Sequence, residues 1–296
     1  ERIQKITGHS PIFYNVDIRD AQALKEVLVK EKTVQGVIHF AAQKYVGESV
    51  NNPLKYYDHN VTGLISLALV LEELRIKNLI FSSSCTVYGE PVKIPVTEKT
   101  PLQPATSPYG HTKLIGEDIL RQMASSKKLR SVALRYFNPI GAHKSAMIGE
   151  LPRGVPQNLI PYITQTAIGK REELKIFGNN YPTPDGTAIR DYIHVSDLAE
   201  AHIKALEFLD LHPDVFFDTF NIGTGKGSSV KEVVETFQEV NQIALPHKYV
   251  DRREGDISAI YAQTDKAEKL LNWKAEKSLA EALQSAWQWE KKLSEK

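Results

Sequence analysis

The run "VQGVIHFAA", residues 34–42, is a short and almost uninterrupted series of apolar side chains. It is typical of a parallel β-strand, because helices cover both faces of a parallel sheet and leave no polar face to alternate with. Two similar runs follow, "NLIFSSS" at 78–84 and "SVALRYFNPIG" at 131–141. "PIFYNVDI" at 11–18 precedes them and is also predicted to be a strand.

Helical patterns separate these strands. A helix is predicted after Asp17 or Asp20, either of which could cap its start, and others over 52–76 and 107–126. Strands that alternate with helices form β-α-β units. The sequence therefore predicts an α/β protein with a doubly wound parallel sheet.

The texture changes after Gly141, where "AHKSAMIGELPRGVPQ" is rich in glycine, proline and small residues. We predict a domain boundary there. Ser196 and Ser229 are predicted to be N-caps of later helices. The tail 277–293 has apolar residues at helical spacing and is predicted to be a packing helix.

The composition excludes several classes of partner. Of the 296 residues, 42% are apolar and 25% charged, with a net charge of +1 and no basic stripe or basic face, so neither nucleic acid nor a membrane surface is expected. No apolar run approaches the roughly 20 residues that cross a bilayer. Cys85 is the only cysteine, which excludes an internal disulfide. A soluble, cytoplasmic protein with no metal site is predicted.

Polar side chains cluster where the predicted strands end, which is where doubly wound sheets bind ligands. Ser82–Ser84 and Thr86 follow one strand, and Asn138–Gly141 follows another. Tyr109 and Lys113 open the intervening helix. Because residues four apart share a helix face, both side chains can point into one cleft.

Tyr109 and Lys113 suit the oxidation of an alcohol. A free tyrosine has a pKa near ~10, and a nearby ammonium or cationic nicotinamide would lower that pKa and make the phenolate a usable base. Ser84 could bind the same substrate oxygen. The residues therefore favour hydride transfer to a nicotinamide. The plain alternatives are a solvated helix face for Tyr109 and Lys113 and close strand–helix packing for the serines.

Six motifs in this order resemble the extended short-chain dehydrogenase/reductase family: "FSSSCTVYGEP", "SPYGHTKLIGE", "RYFNPIGAH", "DGTAIRDYIHVSDLA", "NIGTGKGSSV" and "RREGD". The resemblance covers nearly the whole chain. It implies a Rossmann-type NAD-binding domain over 1–140 with part of 188–225, and a smaller α/β domain over 141–296 that binds a UDP-sugar. It further implies interconversion of UDP-glucose and UDP-galactose by oxidation and re-reduction at the sugar C4.

The resemblance also assigns residues. The implied catalytic residues are Tyr109 as base, Lys113 as its activator and ribose ligand, and Ser84 as the hydroxyl partner. The implied cofactor contacts are Asp17, Ile18, Phe40, Ala41, Ala42, Lys44, His59 and Phe137. The implied substrate contacts are Ser84, Thr86, Asn138, Asn158, Leu159, Lys175, Ile176, Phe177, Arg190, Tyr192, Arg253 and Asp256.

Elementary chemistry agrees with three of these assignments. Arg190 and Arg253 suit a diphosphate, because a guanidinium grips phosphate oxygens through parallel hydrogen bonds. Phe177 could stack on the uracil. Taken singly, an arginine is more often a surface residue and a phenylalanine a core residue.

One motif of the resembled family is missing. No G-x-x-G-x-x-G turn, which would hold the cofactor pyrophosphate at a helix N-terminus, occurs in the sequence. We therefore expect a sheet lacking the first two strands of the fold and a chain that is a piece of a longer protein. We expect a full-length protein with that turn to hold NAD and a chain without it not to bind NAD tightly.

Several alternatives stay open. The chain could be a non-catalytic or truncated nucleotide-sugar-binding relative, or a 4-epimerase of an N-acetylhexosamine or pentose. The resemblance places Ile260 where side-chain size tunes that choice. A dehydratase is disfavoured because Val87 and Tyr88 follow Thr86, where Asp-Glu would be expected. The resemblance also implies a homodimer through the helices over 52–76 and 108–125.

Overall fold

The structure is a computed structural model, and it describes residues 1–253 and 255–295. Its strands are β1 (Gly36–His39), β2 (Asn78–Ser82), β3 (Arg130–Tyr136), β4 (Asn138–Ile140), β5 (Leu174–Phe177), β6 (Ile189–Arg190), β7 (Tyr192–His194), β8 (Phe217–Ile222), β9 (Ser228–Ser229), β10 (His247–Val250) and β11 (Ala259–Ile260). Its α-helices are α1 (Arg2–Thr7), α2 (Ala21–Lys30), α3 (Val46–Asn51), α4 (Pro53–Tyr56), α5 (Gly63–Glu73), α6 (Pro108–Ala124), α7 (Leu159–Ala167), α8 (Val195–Leu211), α9 (Val230–Asn241), α10 (Asp265–Leu271) and α11 (Leu279–Ser294).

The central sheet is parallel, with strand order β1-β2-β3-β8. Successive β2 side chains enter different cores: Ile80 joins the cluster beneath α8 and α10, whereas Leu79 and Phe81 join the cluster beneath α5 and α6. Both faces are therefore buried, as the apolar runs predicted. The α/β Rossmann-type sheet is confirmed.

The segment 11–18 is not a strand, contrary to the prediction. Its backbone is irregular, and Ile12 and Phe13 are 69% and 82% exposed. A strand needs a neighbour for its N–H and C=O groups, and in the described chain β1 is an edge that pairs only with β2. The predicted helix does follow, and Asp20 caps it by accepting from the Ala23 N–H.

The helix predicted over 52–76 is interrupted. A π-helix, Tyr57–Thr62, separates α4 from α5. The buried Asn60 lies in it and bonds three groups: its Oδ1 accepts from the Gln43 N–H at 2.7 Å, and its Nδ2 donates to Gln43 O and to Thr112 Oγ1, each at 3.0 Å. The wider turn thus ties α6 to the loop that follows β1.

The second half of the chain forms short strand pairs, β4 with β7, β5 with β10, and β6 with β9 and β11. Helices α7, α9 and α11 pack around a further core that includes Leu283 and Trp287, which confirms the packing role of the tail helix. Ser229 caps α9 in a capping box with Glu232, as predicted. The Ser196 prediction was wrong, because the N-cap is His194, whose ring accepts from the Ser196 N–H.

Gly116 allows α6 to lie close to β2. A Cβ added at Gly116 would stand 2.5 Å from Cζ of the buried Phe81. We expect Gly116→Ala to lower the free energy of unfolding by about 1–3 kcal/mol, the usual cost of an overpacked core. Urea denaturation measures the change.

Gly47 is the matched control for that substitution. It lies in α3 with nothing within 4 Å of an added Cβ. Gly47→Ala is expected to raise stability by about 0.5–1 kcal/mol, because alanine is the better helix former. Equal effects of the two substitutions would contradict the close approach at Gly116.

Candidate active site

The end of β2 and the start of α6 bring the predicted catalytic residues together. Ser84 follows β2 and caps the 3₁₀ turn Cys85–Tyr88 by accepting from the Thr86 N–H at 3.2 Å. Ser107 caps α6 by accepting from the Gly110 N–H, so Tyr109 lies in the first helical turn. Because both caps fix the backbone, the Ser84 and Tyr109 side chains meet in one place.

Ser84 lies near Tyr109, and its hydroxyl lowers the pKa of the phenol. Burial has the larger effect and raises the pKa of Tyr109 above its ordinary value, with Tyr136 adding to the rise. The Lys113 Nζ lies 5.8 Å from the centre of the Tyr109 ring, and burial outweighs the expected lowering by its ammonium. Tyr109 is thus a protonated acid here, and only a further positive charge would make it a base.

Lys113 is buried and donates to the Ser82 carbonyl at 2.6 Å. Burial lowers the pKa of its ammonium to about 8. An ammonium has three donors, and within 1–253 and 255–295 only this one acceptor lies within hydrogen-bond distance of Lys113. Two donors therefore stay available for a ligand.

The lowered pKa makes a testable contribution to stability. Between about pH 8 and the ordinary value of 10.5, an unfolded Lys113 holds a proton that the folded one has lost. The free energy of unfolding therefore rises with pH in this window, by an amount on the order of 1–3 kcal/mol. We expect urea denaturation at pH 8 and pH 10 to show an increment that Lys113→Met lacks.

The exposed Lys99 provides the control for that measurement. Lys99→Met should keep the wild-type increment, since its environment is that of solvent. A wild-type increment that survives in Lys113→Met would show that other groups produce it.

The predicted adenine contacts lie beside the π-helix. Asp17 is exposed, and its ion pair with Arg19 holds the carboxyl pKa well below its usual range. Arg19 also pairs with Asp58, next to the predicted contact His59. Ile18 packs where a Gly63 side chain would be. The π-helix that contains His59 is in turn joined to α6 by hydrogen bonds from Tyr57 to His111 and from Asn60 to Thr112.

Four of the other predicted cofactor contacts follow the end of β1. Phe40 and Ala41 are exposed at the end of β1, Ala42 follows half-buried, and the Phe40 ring lies 4.6 Å from that of His202. The Lys44 Nζ lies 3.6 Å from Glu150.

Phe137 is buried beside Cys85. Exposed surface on Phe40 and spare donors on Lys113 fit the nicotinamide riboside of NAD.

Arg190, at the end of β6, and Arg253, three residues after β10, both act on the same buried tyrosine. Both charges act on the buried Tyr192, where burial raises the pKa to about 12 and each arginine lowers it. Arg253 bonds Asp256 at 2.9 Å and stacks 4.8 Å above the Phe177 ring. The two guanidiniums and an exposed aromatic face therefore form one surface suited to a nucleoside diphosphate.

The remaining predicted substrate contacts flank that surface or lie apart from it. Lys175 points outward on β5 like Phe177, whereas Ile176 points into the core. Asn138 pairs with Tyr192 in the β4–β7 ladder. Asn158 donates to Glu150 at 2.6 Å, and Leu159 opens α7 half-buried.

The Thr86 hydroxyl is buried, and it has no partner in the part of the chain that the structure describes.

Cys85 joins the two halves of the site. It is buried and unpaired, as predicted, and burial raises its thiol pKa to about 12. Arg190 lowers that pKa, and Cys85 in turn raises the pKa of Tyr109. Arg190 and Tyr109 therefore both lie within electrostatic range of one side chain.

Two buried acidic residues were missed. Asp191 accepts four hydrogen bonds, from Thr224 N–H and O–H, Gly225 N–H and Ala262 N–H. Glu117 accepts from Ser83 at 2.6 Å and pairs with Arg135 at 2.5 Å. The only signals were the position of Asp191 between Arg190 and Tyr192 and of Glu117 four residues after Lys113.

The described residues hold neither a group of three or more candidate metal ligands nor a helix long and apolar enough to cross a membrane. The absence of a metal cluster there accords with the prediction without testing it.

Comparison with known proteins identifies the family. Residues 1–286 match the family model described as GDP-mannose 4,6 dehydratase. The UDP-glucose 4-epimerase of Bacillus subtilis is 49% identical over 290 residues, which are 98% of this chain and 84% of the relative. That of Dictyostelium discoideum is 47% identical over 291 residues, again 98% of this chain and 84% of the relative.

Solved structures agree. The UDP-glucose 4-epimerase of Stenotrophomonas maltophila, with bound NAD and formylated UDP-arabinopyranose, has a TM-score of 0.96 at 44% identity, covering 99% of this chain and 87% of that one. The enzyme of Bifidobacterium longum, in complex with NAD+ and UDP, has a TM-score of 0.92 at 43% identity, covering 98% and 86%. The chain therefore belongs to the UDP-glucose 4-epimerase branch of the extended short-chain dehydrogenase/reductase family.

Proposed function

We propose that the protein interconverts UDP-glucose and UDP-galactose by NAD-dependent oxidation and re-reduction at the sugar C4. The observation that carries the proposal is that Ser84, Tyr109 and Lys113 come together where β2 ends and α6 begins, with the Lys113 Nζ 5.8 Å from the centre of the Tyr109 ring. Arg190 and Arg253, which both act electrostatically on the buried Tyr192, supply charge that suits a diphosphate. Relatives with 98% coverage and the same activity in their names support it.

Lys113, Phe40 and Phe137 would hold the nicotinamide end of NAD, and Asp17 and Ile18 the adenine end, with Ala41, Ala42, Lys44 and His59 between them. When bound, NAD supplies the hydride acceptor and a positive charge beside the phenol. That charge and the Lys113 ammonium together oppose the burial that keeps Tyr109 protonated.

The chain's own residues then manage the proton. The Tyr109 phenolate takes it from the sugar 4-hydroxyl, while Ser84 hydrogen-bonds the same oxygen. After the oxidised sugar has turned over, Tyr109 returns the proton to the C4 oxygen, so Tyr109 ends the cycle as the phenolate with which it began. Neither proton nor hydride is consumed, because the reaction is an isomerisation.

Arg190 and Arg253 hold the diphosphate, and Phe177 with Lys175 and Ile176 receives the uracil. Asn138, Asn158, Leu159, Tyr192, Asp256 and Thr86 complete the contacts to the UDP-sugar. Anchoring at the diphosphate allows the hexose to rotate without leaving the pocket, which presents the opposite face of C4.

An assay with UDP-galactose and added NAD tests the proposal. Chromatography detects UDP-glucose, and its formation supports the proposal. UDP-N-acetylgalactosamine and a UDP-pentose are tested in parallel as alternative substrates. If either of these sugars turned over faster than UDP-galactose, it would be the preferred substrate and the proposed one would be wrong. UDP binding by calorimetry without turnover of any sugar would indicate a binding protein instead.

We propose a homodimer in which α5 contributes to the interface. Leu54, Ile65 and Leu69 are exposed apolar side chains on α4 and α5, and such side chains are normally covered by a partner. The chain has a mass of 33.3 kDa. Sedimentation should give a particle of twice that mass. Leu69→Glu should shift the equilibrium toward the monomer, and a wild-type monomer would contradict the proposal.

We further propose a cytoplasmic protein of two domains, 1–140 with part of 188–225 for NAD and 141–296 for the UDP-sugar. The unpaired Cys85 fits a reducing compartment. The separate cores beneath α5 and α6 and around α11 support the division.

A further inference from the structure

Helix α6 contacts all three serines of the 82–84 segment with residues spaced four apart. The Ser84 hydroxyl lies near enough to Tyr109 to lower the pKa of its phenol. Lys113 donates to the Ser82 carbonyl at 2.6 Å. Ser83 donates its hydroxyl to Glu117 Oε1 at 2.6 Å. Residues at this spacing share one helix face, so a single face of α6 sets the position of the whole segment.

Glu117 is itself held rigidly. Its two oxygens accept from Arg135 Nε at 2.9 Å and Arg135 Nη2 at 2.5 Å. Arg135 Nη1 donates to the Tyr88 hydroxyl at 3.1 Å, and that hydroxyl donates to Asn221 at 2.5 Å. The network therefore joins α6 to β2, to the 3₁₀ turn and to β3 and β8.

Burial makes this network a positioning device and excludes it from the chemistry. Glu117 and Ser83 are fully buried, and Arg135 is 2% exposed. No substrate atom can reach them. A fully satisfied bidentate pair in a low dielectric tolerates little displacement, because any movement leaves a buried charge without its partner.

We propose that Glu117 is a positioning residue that acts through Ser83 to hold the Ser84 hydroxyl in register with Tyr109. Ser83 is covalently joined to Ser84, so a fixed Ser83 side chain restricts the backbone that carries the reacting hydroxyl. The inference rests on the proposed function where turnover is its readout. According to this inference, proton transfer by Tyr109 depends on the hydrogen bond from Ser83 to Glu117, although neither residue touches the substrate.

Ser83→Ala is the direct test, because it removes this hydrogen bond and leaves the Glu117–Arg135 pair intact. We expect kcat for UDP-galactose to fall by about ten- to a hundredfold, the scale of a small misplacement of reacting groups. KM should stay within about twofold, since the arginines that hold the diphosphate are untouched.

Ser131→Ala is the matched control. Ser131 is a buried serine of β3, and its hydroxyl has no partner in the described chain. It removes the same atoms from the neighbouring strand. Its kcat is expected to equal that of the wild type within about twofold.

A second readout does not need turnover. The Thr86 N–H donates to Ser84 Oγ at 3.2 Å, so its hydrogen exchange reports the position of Ser84. Exchange at Thr86 should accelerate in Ser83→Ala and not in Ser131→Ala. Ser83→Cys, which keeps a weak S–H donor for Glu117 and leaves the Glu117–Arg135 ion pair in place, should lose less kcat than Ser83→Ala and serves if the latter does not fold.

The outcomes separate the two proposals. Inactive wild-type protein would refute the proposed function, and Thr86 exchange would then decide the positioning role alone. The inference is overturned if Ser83→Ala keeps both wild-type kcat and wild-type Thr86 exchange. It is also overturned if Ser131→Ala reproduces the loss, or if the loss falls on KM with kcat unchanged.

Discussion

Tyr109→Phe is expected to lower kcat for UDP-galactose by about 10²–10⁴-fold, the range that a positioned acid–base group contributes. The substitution deletes one oxygen from a side chain whose phenol lies near the Ser84 hydroxyl. The ring remains, so the packing of α6 against the 3₁₀ turn should survive. The loss should appear in kcat, because the UDP-binding surface is built from other residues.

Tyr57→Phe controls for the removal of a tyrosine hydroxyl nearby. Its hydroxyl lies 2.8 Å from His111 Nδ1 at the exposed side of the π-helix and α6. Wild-type kcat is expected. Calorimetric UDP binding should be unchanged in both variants. If Tyr109→Phe kept more than about a tenth of the wild-type kcat, Tyr109 would not be the base.

Arg190→Met is expected to raise the Kd for UDP by about ten- to a hundredfold, since a hydrogen bond to a charged group contributes about 1.5–3 kcal/mol. Arg190 gives one donor to the Ile189 carbonyl, and within 1–253 and 255–295 its other donors have no hydrogen-bond partner. Arg253→Met should have a smaller effect, because Arg253 shares its charge with Asp256. Calorimetry with UDP measures both.

Arg171→Met is the matched control for these arginines. Arg171 bonds Gln165 and stacks 4.7 Å above the Tyr162 ring, so it resembles Arg253 in its local contacts and lies outside the candidate site. Its Kd for UDP should be that of the wild type. Equal Kd values for Arg190→Met and Arg171→Met would contradict the assignment of the diphosphate to Arg190.

The buried strands could be predicted from the sequence because a strand covered on both faces consists of a nearly continuous run of apolar residues. The runs at 34–42 and 78–84 contain β1 and β2, and the run at 131–141 contains all of β3 except Arg130. The run at 11–18 has the same composition and is not a strand. Pairing depends on a neighbour, which a local apolar pattern does not report.

The catalytic pair could be predicted for a similar reason. Tyr109 and Lys113 share a helix face through spacing alone, and the serines precede them by one β-α unit. The partners of Glu117 could not be predicted, because a buried glutamate has the same letter as an exposed one. The shift of Tyr109 was also misjudged, since burial outweighs the nearby ammonium.

Asp191 lies between β6 and β7 and bonds two segments distant in the sequence, so we expect these segments to open together. Its carboxylate holds the Thr224–Gly225 loop and Ala262 while its neighbours in the chain are Arg190 and Tyr192. A segment that opens only together with its partners transmits protection to them. Binding of UDP to Arg190 should therefore slow hydrogen exchange of the Gly225 and Ala262 amides. Because these two amides donate to the Asp191 carboxylate, their exchange rates would report whether the nucleotide is bound.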